Sequence, residues 1–154
     1  MIRTYLMYIV TSLITFWVVL FLFGVSAGFA NYAPIIAMLG TVLLFSIASP
    51  LLVIKKRLGL VFGLIGGLLI LPFDIGFTAG VFEDGLFNWG VVLGFVPIIL
   101  VLLSLFYTVK ELKVKGEQAL SNIVRITMIG VPILLSILYI VIYGKYWSWQ
   151  MFGI

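Results

Sequence analysis

The sequence predicts an all-α integral membrane protein, a bundle of five transmembrane helices with a cytoplasmic N-terminus and an outside C-terminus. Of its 154 residues, 64% are hydrophobic and only 9% are charged, whereas soluble domains have about 45–50% apolar and about 25% charged residues. The apolar residues form five long runs, and the basic residues lie at or near the ends of those runs. A water-soluble domain of this size could not bury so much apolar surface. We therefore expect lipid to surround most of the chain.

Each apolar run approaches or exceeds the roughly 20 residues that a helix needs to cross about 30 Å of hydrocarbon. Helices are expected because open strands would leave backbone groups unpaired in lipid, and the runs lack the alternation of barrel strands. The five predicted helices cover about residues 5–30, 34–54, 58–78, 89–109 and 120–144. Their connections are short, so residues 1–154 are predicted to form a single polytopic membrane domain.

Two of the runs allow a second interpretation. The first run ends in small residues, as a cleaved signal peptide would, but its apolar core is far longer than the usual length of about 7–15 residues. The third run is interrupted by Gly66-Gly67 and Pro72. It predicts either a helix kinked at the proline or a shorter helix that leads into a re-entrant stretch. The kinked helix is the simpler of the two.

The basic residues orient the predicted bundle. If Arg3 is cytoplasmic, five crossings place eight of the nine basic residues on the cytoplasmic side, as the positive-inside rule requires. Lys145 alone falls outside. Arg125 lies about five residues into the fifth run, from where its long side chain can reach the headgroups. The predicted cytoplasmic charge anchors are Lys55, Lys56, Arg57 and Arg125.

Three polar side chains inside the runs are candidates for binding a ligand or an ion. Asp74 lies about 24 Å along the third helix at 1.5 Å per residue, near the predicted outer edge of the hydrocarbon. It is either a cation or proton site that faces the bundle interior, or a carboxylate at the membrane rim. In the second case it is solvated from outside or hydrogen-bonded to backbone freed by Pro72. Ser46 and Ser49 share one face of the second helix. They either line a polar cavity or bond to the backbone and to one neighbouring helix.

Glycines recur every four residues along the third run, at Gly59, Gly63 and Gly67. Small residues with this spacing lie on one side of a helix and let another backbone approach closely, which drives helix association in lipid. We expect the three glycines to serve helix packing within this chain, with oligomerisation as the alternative.

The composition excludes several classes of chemistry. The chain has no cysteine and no histidine, which removes disulfides, cysteine or histidine zinc sites, histidine-ligated haem and histidine acid–base catalysis. No phosphate-binding glycine loop, zinc-binding helix motif or serine elbow occurs. We therefore predict no catalytic residue, no metal and no cofactor, and no enzyme. The net charge of +4 does not indicate nucleic-acid binding, because the basic residues lie at the ends of the apolar runs and are not gathered on a solvated face.

These features favour a small non-catalytic multi-pass protein of the cell membrane that acts as an accessory, regulatory or assembly subunit. Its expected partners are the lipid bilayer and either another membrane protein or a second copy, joined through glycine-rich seams. The alternative is a small ion or solute channel or transporter with Asp74 near the pathway. That alternative requires Asp74 to share a cavity with Ser46 or Ser49.

Overall fold

A computed structural model describes residues 1–25, 33–83, 89–114 and 120–143 of the chain. These ranges form five helices: α1 (Ile2–Val25), α2 (Ala33–Ile54), α3 (Lys56–Glu83), α4 (Trp89–Lys113) and α5 (Asn122–Tyr143). Each contains a stretch of 18 to 25 residues that is long and apolar enough to cross a membrane. Within the described ranges, the prediction of an all-helical protein with five membrane-length helices is confirmed.

Four of the helices form a closed ring. α1 packs against α2 and α4, and α3 packs against the same two helices. α2 and α3 are antiparallel, since Thr41 bonds to Gly66 while Leu52 lies beside Gly59. α1 and α4 are also antiparallel, since Thr11 contacts Ser104 while Met1 contacts Glu111. α5 lies outside the ring, mainly against α2 and with a smaller contact to α1. It is therefore the most peripheral of the five helices.

Two apolar clusters fill the middle of the bundle. The first joins all five helices and consists of Phe16, Val19, Met38, Val42, Ile70, Val101 and Tyr139. The second joins α1, α2, α3 and α5 and consists of Tyr5, Tyr8, Ile9, Phe45, Ala48, Leu52, Leu60 and Met128. Because lipid is as apolar as these side chains, close packing between them stabilises the bundle more than removal from water does.

The third helix differs from one of the two predicted alternatives. α3 runs without interruption from Lys56 to Glu83 and contains Pro72, so the re-entrant alternative is wrong. Unwinding the chain at this depth would leave several backbone groups unpaired, whereas one proline removes a single backbone donor. α1 is described as far as Val25, and the rest of the predicted first helix, residues 26–30, lies outside the described residues.

The described basic residues all lie at one end of the bundle, which we call the basic end. This end contains the start of α1, the junction of α2 and α3, the end of α4 and the start of α5. Its basic residues are Arg3, Lys55, Lys56, Arg57, Lys110, Lys113 and Arg125. Lys115 and Lys145 lie outside the described residues. Which side of the membrane the basic end faces stays a prediction from the positive-inside rule.

Candidate functional site

A column of hydroxyl side chains runs along the buried face of α1. Each member lies three or four residues from another member, which places the set on one face of the helix. We call this set the hydroxyl column: Thr4, Tyr8, Thr11, Ser12 and Thr15. None of them is more than 3% exposed. The hydroxyl column was not among the predicted site residues, although its helical spacing is visible in the sequence.

Two hydroxyl pairs join α1 to α4. Tyr8 Oη lies 2.6 Å from Thr108 Oγ1, and Thr11 Oγ1 lies 2.8 Å from Ser104 Oγ. The Thr108 hydroxyl donates to the Ser104 carbonyl oxygen at 2.6 Å. Since a threonine hydroxyl has one proton, Tyr8 is the donor in its pair with Thr108. These bonds orient the two helices about their long axes.

Ser12 connects α1 to two further helices. Its hydroxyl lies 3.4 Å from Ser46 Oγ of α2 and 3.2 Å from Tyr139 Oη of α5. The Tyr139 ring also packs on Phe16, with ring centroids 4.1 Å apart. The predicted candidate Ser46 is thus buried at a junction of three helices.

The other predicted serine bonds within its own helix. Ser49 is fully buried, and its hydroxyl donates to the Phe45 carbonyl oxygen at 2.7 Å. This is the bond from a serine to the carbonyl one turn earlier that is common in helices. Thr41, about two turns earlier in α2, donates to the Gly66 carbonyl oxygen of α3 at 3.3 Å. The α2 hydroxyls therefore bond to the backbone or to a neighbouring helix.

Asp74 lies on the inward face of α3. Its side chain is 2% exposed, and its Oδ2 makes no hydrogen bond to any residue that the structure describes. Ile70, one turn earlier, belongs to the first apolar cluster, and Thr78, one turn later, is also buried. The Thr78 hydroxyl donates to the Asp74 carbonyl oxygen at 2.7 Å. A buried carboxyl oxygen without a partner is exceptional, because burying such a group is costly.

The structure does not bring Asp74 close to the two candidate serines. Gly59 of α3 packs against the α2 backbone at residues 48–52, which places Ser49 level with Gly59. Asp74 lies 15 residues beyond Gly59, or about 22 Å along the helix at 1.5 Å per residue. Ser46 is only one turn closer. The shared cavity that the transporter alternative requires is therefore not formed by these residues.

The three predicted packing glycines face three different helices. A Cβ atom on Gly59 would lie 2.5 Å from the backbone nitrogen of Leu52 in α2. A Cβ on Gly67 would lie 2.6 Å from Leu105 Cδ2 in α4. A Cβ on Gly63 would overlap the ring and hydroxyl of Tyr8 in α1. The space beside each of these glycines is thus filled by the chain itself.

Two other glycines of α3 have open surroundings. Gly76 and Gly80 are exposed. Apart from their adjacent residues and the backbone of α3 itself, no atom of the described residues lies within 4 Å of a Cβ built on either. They share one side of α3 with two more exposed residues. We call this side the outer glycine face, and it consists of Pro72, Gly76, Ala79 and Gly80.

A charge cluster joins three helices at the basic end. Glu111 Oε1 lies 2.8 Å from Lys56 Nζ, and Glu111 Oε2 lies 2.6 Å from the N-terminal amine of Met1. The Glu111 and Lys56 side chains are only 13% and 15% exposed. Of the predicted charge anchors, Lys56 belongs to this cluster, whereas Lys55, Arg57 and Arg125 are exposed.

In the part of the chain that the structure describes, no three histidine, cysteine, aspartate or glutamate side chains are grouped so that they could hold a metal ion. Comparison with models of protein families, with curated proteins and with solved structures finds no match. Any functional interpretation therefore rests on the geometry of the bundle.

Proposed function

We propose that the protein is a small non-catalytic multi-pass subunit of the cell membrane, which binds a transmembrane helix of a partner through its outer glycine face. The partner is either another membrane protein or a second copy of this chain, and the role is accessory, regulatory or assembly. The observation that carries the proposal is the open space beside Gly76 and Gly80.

The contrast within α3 supports this contact. Gly59, Gly63 and Gly67 are all covered by neighbouring helices, but Gly76 and Gly80 are not covered by any described residue. A glycine inside a helix is less favourable than an alanine by roughly 0.5–1 kcal/mol. Close approach of another backbone is the usual compensation in a membrane. A helix seated on the outer glycine face would supply it.

The interior of the bundle supports a non-catalytic role. The hydroxyl column bonds to α2, α4 and α5, so its polar groups serve contacts between helices. Asp74, the remaining polar group of note, is remote from the α2 serines. Interhelical hydrogen bonds and small residues are the means by which helices associate in lipid. The hydroxyl groups of the interior therefore fit contacts between helices better than a wet pathway.

Site-directed photo-crosslinking through one introduced cysteine tests the proposed contact, because the chain has no cysteine of its own. Ala79→Cys places a thiol on the outer glycine face, and Ile140→Cys places one on the exposed surface of α5. Each cysteine is labelled with a thiol-reactive photo-crosslinker, which needs no cysteine on the partner. On illumination in native membranes, we expect a crosslinked species from Ala79→Cys and none from Ile140→Cys. Mass spectrometry of that species identifies a second copy or a different protein.

Leucine substitutions supply the matched control. Adding Gly76→Leu and Gly80→Leu should abolish the crosslink, because two leucines would hold the backbones apart. Gly130→Leu on α5 should leave it intact, since Gly130 is also open. Equal crosslinking from Ala79→Cys and Ile140→Cys, or a crosslink that survives both leucines, would refute the proposed contact.

A further inference from the structure

Asp74 has no charged side chain beside it among the residues that the structure describes. The three other helices of the ring contain no ionisable side chain across the middle of the bundle: α1 has none from Ile9 to Val25, α2 has none, and α4 has none from Trp89 to Phe106. Within α3, the nearest ionisable residues are Arg57 and Glu83. They lie 17 and 9 residues away, or about 25 Å and about 13 Å along the helix. No described residue therefore supplies a positive charge beside the Asp74 carboxyl.

The Asp74 side chain points into the bundle and not toward the membrane surface. Pro72, two residues earlier, is exposed on the outer side of α3, whereas Asp74 is buried between Ile70 and Thr78. A carboxyl at the membrane surface could keep its charge in water, but this one is enclosed by protein. Ionisable residues enclosed in this way within a membrane bundle commonly mark ion or proton sites.

The surroundings of Asp74 favour a proton over a metal cation as its ligand. Hard cations such as Ca²⁺ and Mg²⁺ take about six or more oxygen ligands, and no group of three acidic side chains occurs among the described residues. A proton needs only one carboxyl oxygen, and it removes the charge that the enclosure disfavours. Oδ2, which lacks a partner among the described residues, is the atom available to hold it.

We propose that Asp74 is a proton-exchange site, a carboxyl that binds and releases a proton inside the membrane. The site is independent of the proposed partner contact, because Asp74 faces the interior and the outer glycine face lies on the opposite side of α3. The exchanged species is the proton alone, bound at the Asp74 carboxyl and returned to water when the carboxyl ionises.

Infrared spectroscopy of the protein in lipid vesicles tests this site directly. A protonated carboxyl has a C=O stretch that the carboxylate lacks, so the band reports the bound proton. We expect a carboxyl band that is present in the wild type and in Glu111→Gln but absent in Asp74→Asn. The band should fall roughly tenfold for each pH unit once the proton is being lost, as a one-proton equilibrium requires. Sodium at constant pH should leave it unchanged.

A hydrophobic carbodiimide provides a second readout. The carboxyl proton moves to a carbodiimide nitrogen, the carboxyl oxygen bonds to the central carbon, and the adduct rearranges to a stable acylurea without loss of atoms. Modification should occur at Asp74 and decline in parallel with the infrared band. Size-exclusion chromatography of Asp74→Asn, which conserves side-chain size, establishes that the variant is folded.

Three infrared results would overturn the assignment. They are a band that is absent at every pH, a band that does not change with pH, and a band that sodium removes at constant pH. The last result would assign the site to a metal cation. None of the three would affect the crosslinking test of the partner contact.

Discussion

Gly63 of α3 and Tyr8 of α1 are predicted to be energetically coupled. Tyr8 is fully buried, and its ring and hydroxyl occupy the place where a Cβ of residue 63 would lie. The ring packs on Phe45 at a centroid distance of 5.0 Å, and the hydroxyl bonds to Thr108 at 2.6 Å. The ring therefore cannot make room for a methyl group without weakening both contacts.

The magnitude follows from three contributions to Gly63→Ala. Overpacking a core costs about 1–3 kcal/mol, and loss of an interhelical hydrogen bond in a membrane costs about 0.6 kcal/mol. The higher helix propensity of alanine offsets about 1 kcal/mol. The net loss of unfolding free energy is then roughly 0.5–2.5 kcal/mol. Gly130→Ala has open space and should be neutral or stabilising by up to about 1 kcal/mol.

Reversible unfolding in mixed micelles of a mild detergent and dodecyl sulfate, followed by circular dichroism, measures these differences. Tyr8→Leu removes the ring and leaves space for the new methyl group. Gly63→Ala combined with Tyr8→Leu should therefore destabilise the protein by about 1–2 kcal/mol less than the sum of the single variants. Equal effects of Gly63→Ala and Gly130→Ala, or strict additivity in the double variant, would refute the reasoning.

Three further predictions concern the basic end, the hydroxyl column and the topology. Glu111→Gln should lower the unfolding free energy by about 1–3 kcal/mol, because it leaves the Lys56 ammonium without its carboxylate. The same unfolding assay measures this loss, and an unchanged unfolding midpoint would contradict it. Thr11→Val keeps the side-chain shape but removes the bond to Ser104, and it should cost about 0.6–1.7 kcal/mol; a variant as stable as the wild type would show that the pair contributes nothing. Reporter fusions at the two termini should report opposite sides of the membrane, with the N-terminal one cytoplasmic; two reporters on the same side would exclude five crossings.

The positions of the helices were largely predictable because their causes are local. Five runs of sufficient length predicted five helices, and the described helices lie where the runs do. A break within a helix was considered only for α3, where Gly66-Gly67 and Pro72 interrupt the apolar run. The helix continues through them, because a membrane penalises unpaired backbone groups more than it penalises weak helix formers.

The candidate site was predictable only in part. The depth of Asp74 follows from counting residues along one helix, but whether it faces the interior or the rim depends on how α3 is rotated. The separation of Asp74 from Ser46 and Ser49 depends on the antiparallel register of α2 and α3, which neither segment specifies alone. The hydroxyl column could have been found from its spacing, but its partners on α4 and α5 come from distant parts of the chain.

The sequence by itself determined that the chain forms apolar helices of membrane length with basic residues at one end of the bundle. Both features follow from the cost of unpaired backbone groups and of charges in hydrocarbon. Only the tertiary structure decided that Tyr8 fills the space beside Gly63, while the space beside Gly76 is open among the described residues. The two glycines look equivalent in sequence. The physical reason is that lipid and the protein interior are similarly apolar, so hydropathy does not set the rotation of a helix. That rotation is set by the fit of side chains between neighbouring helices.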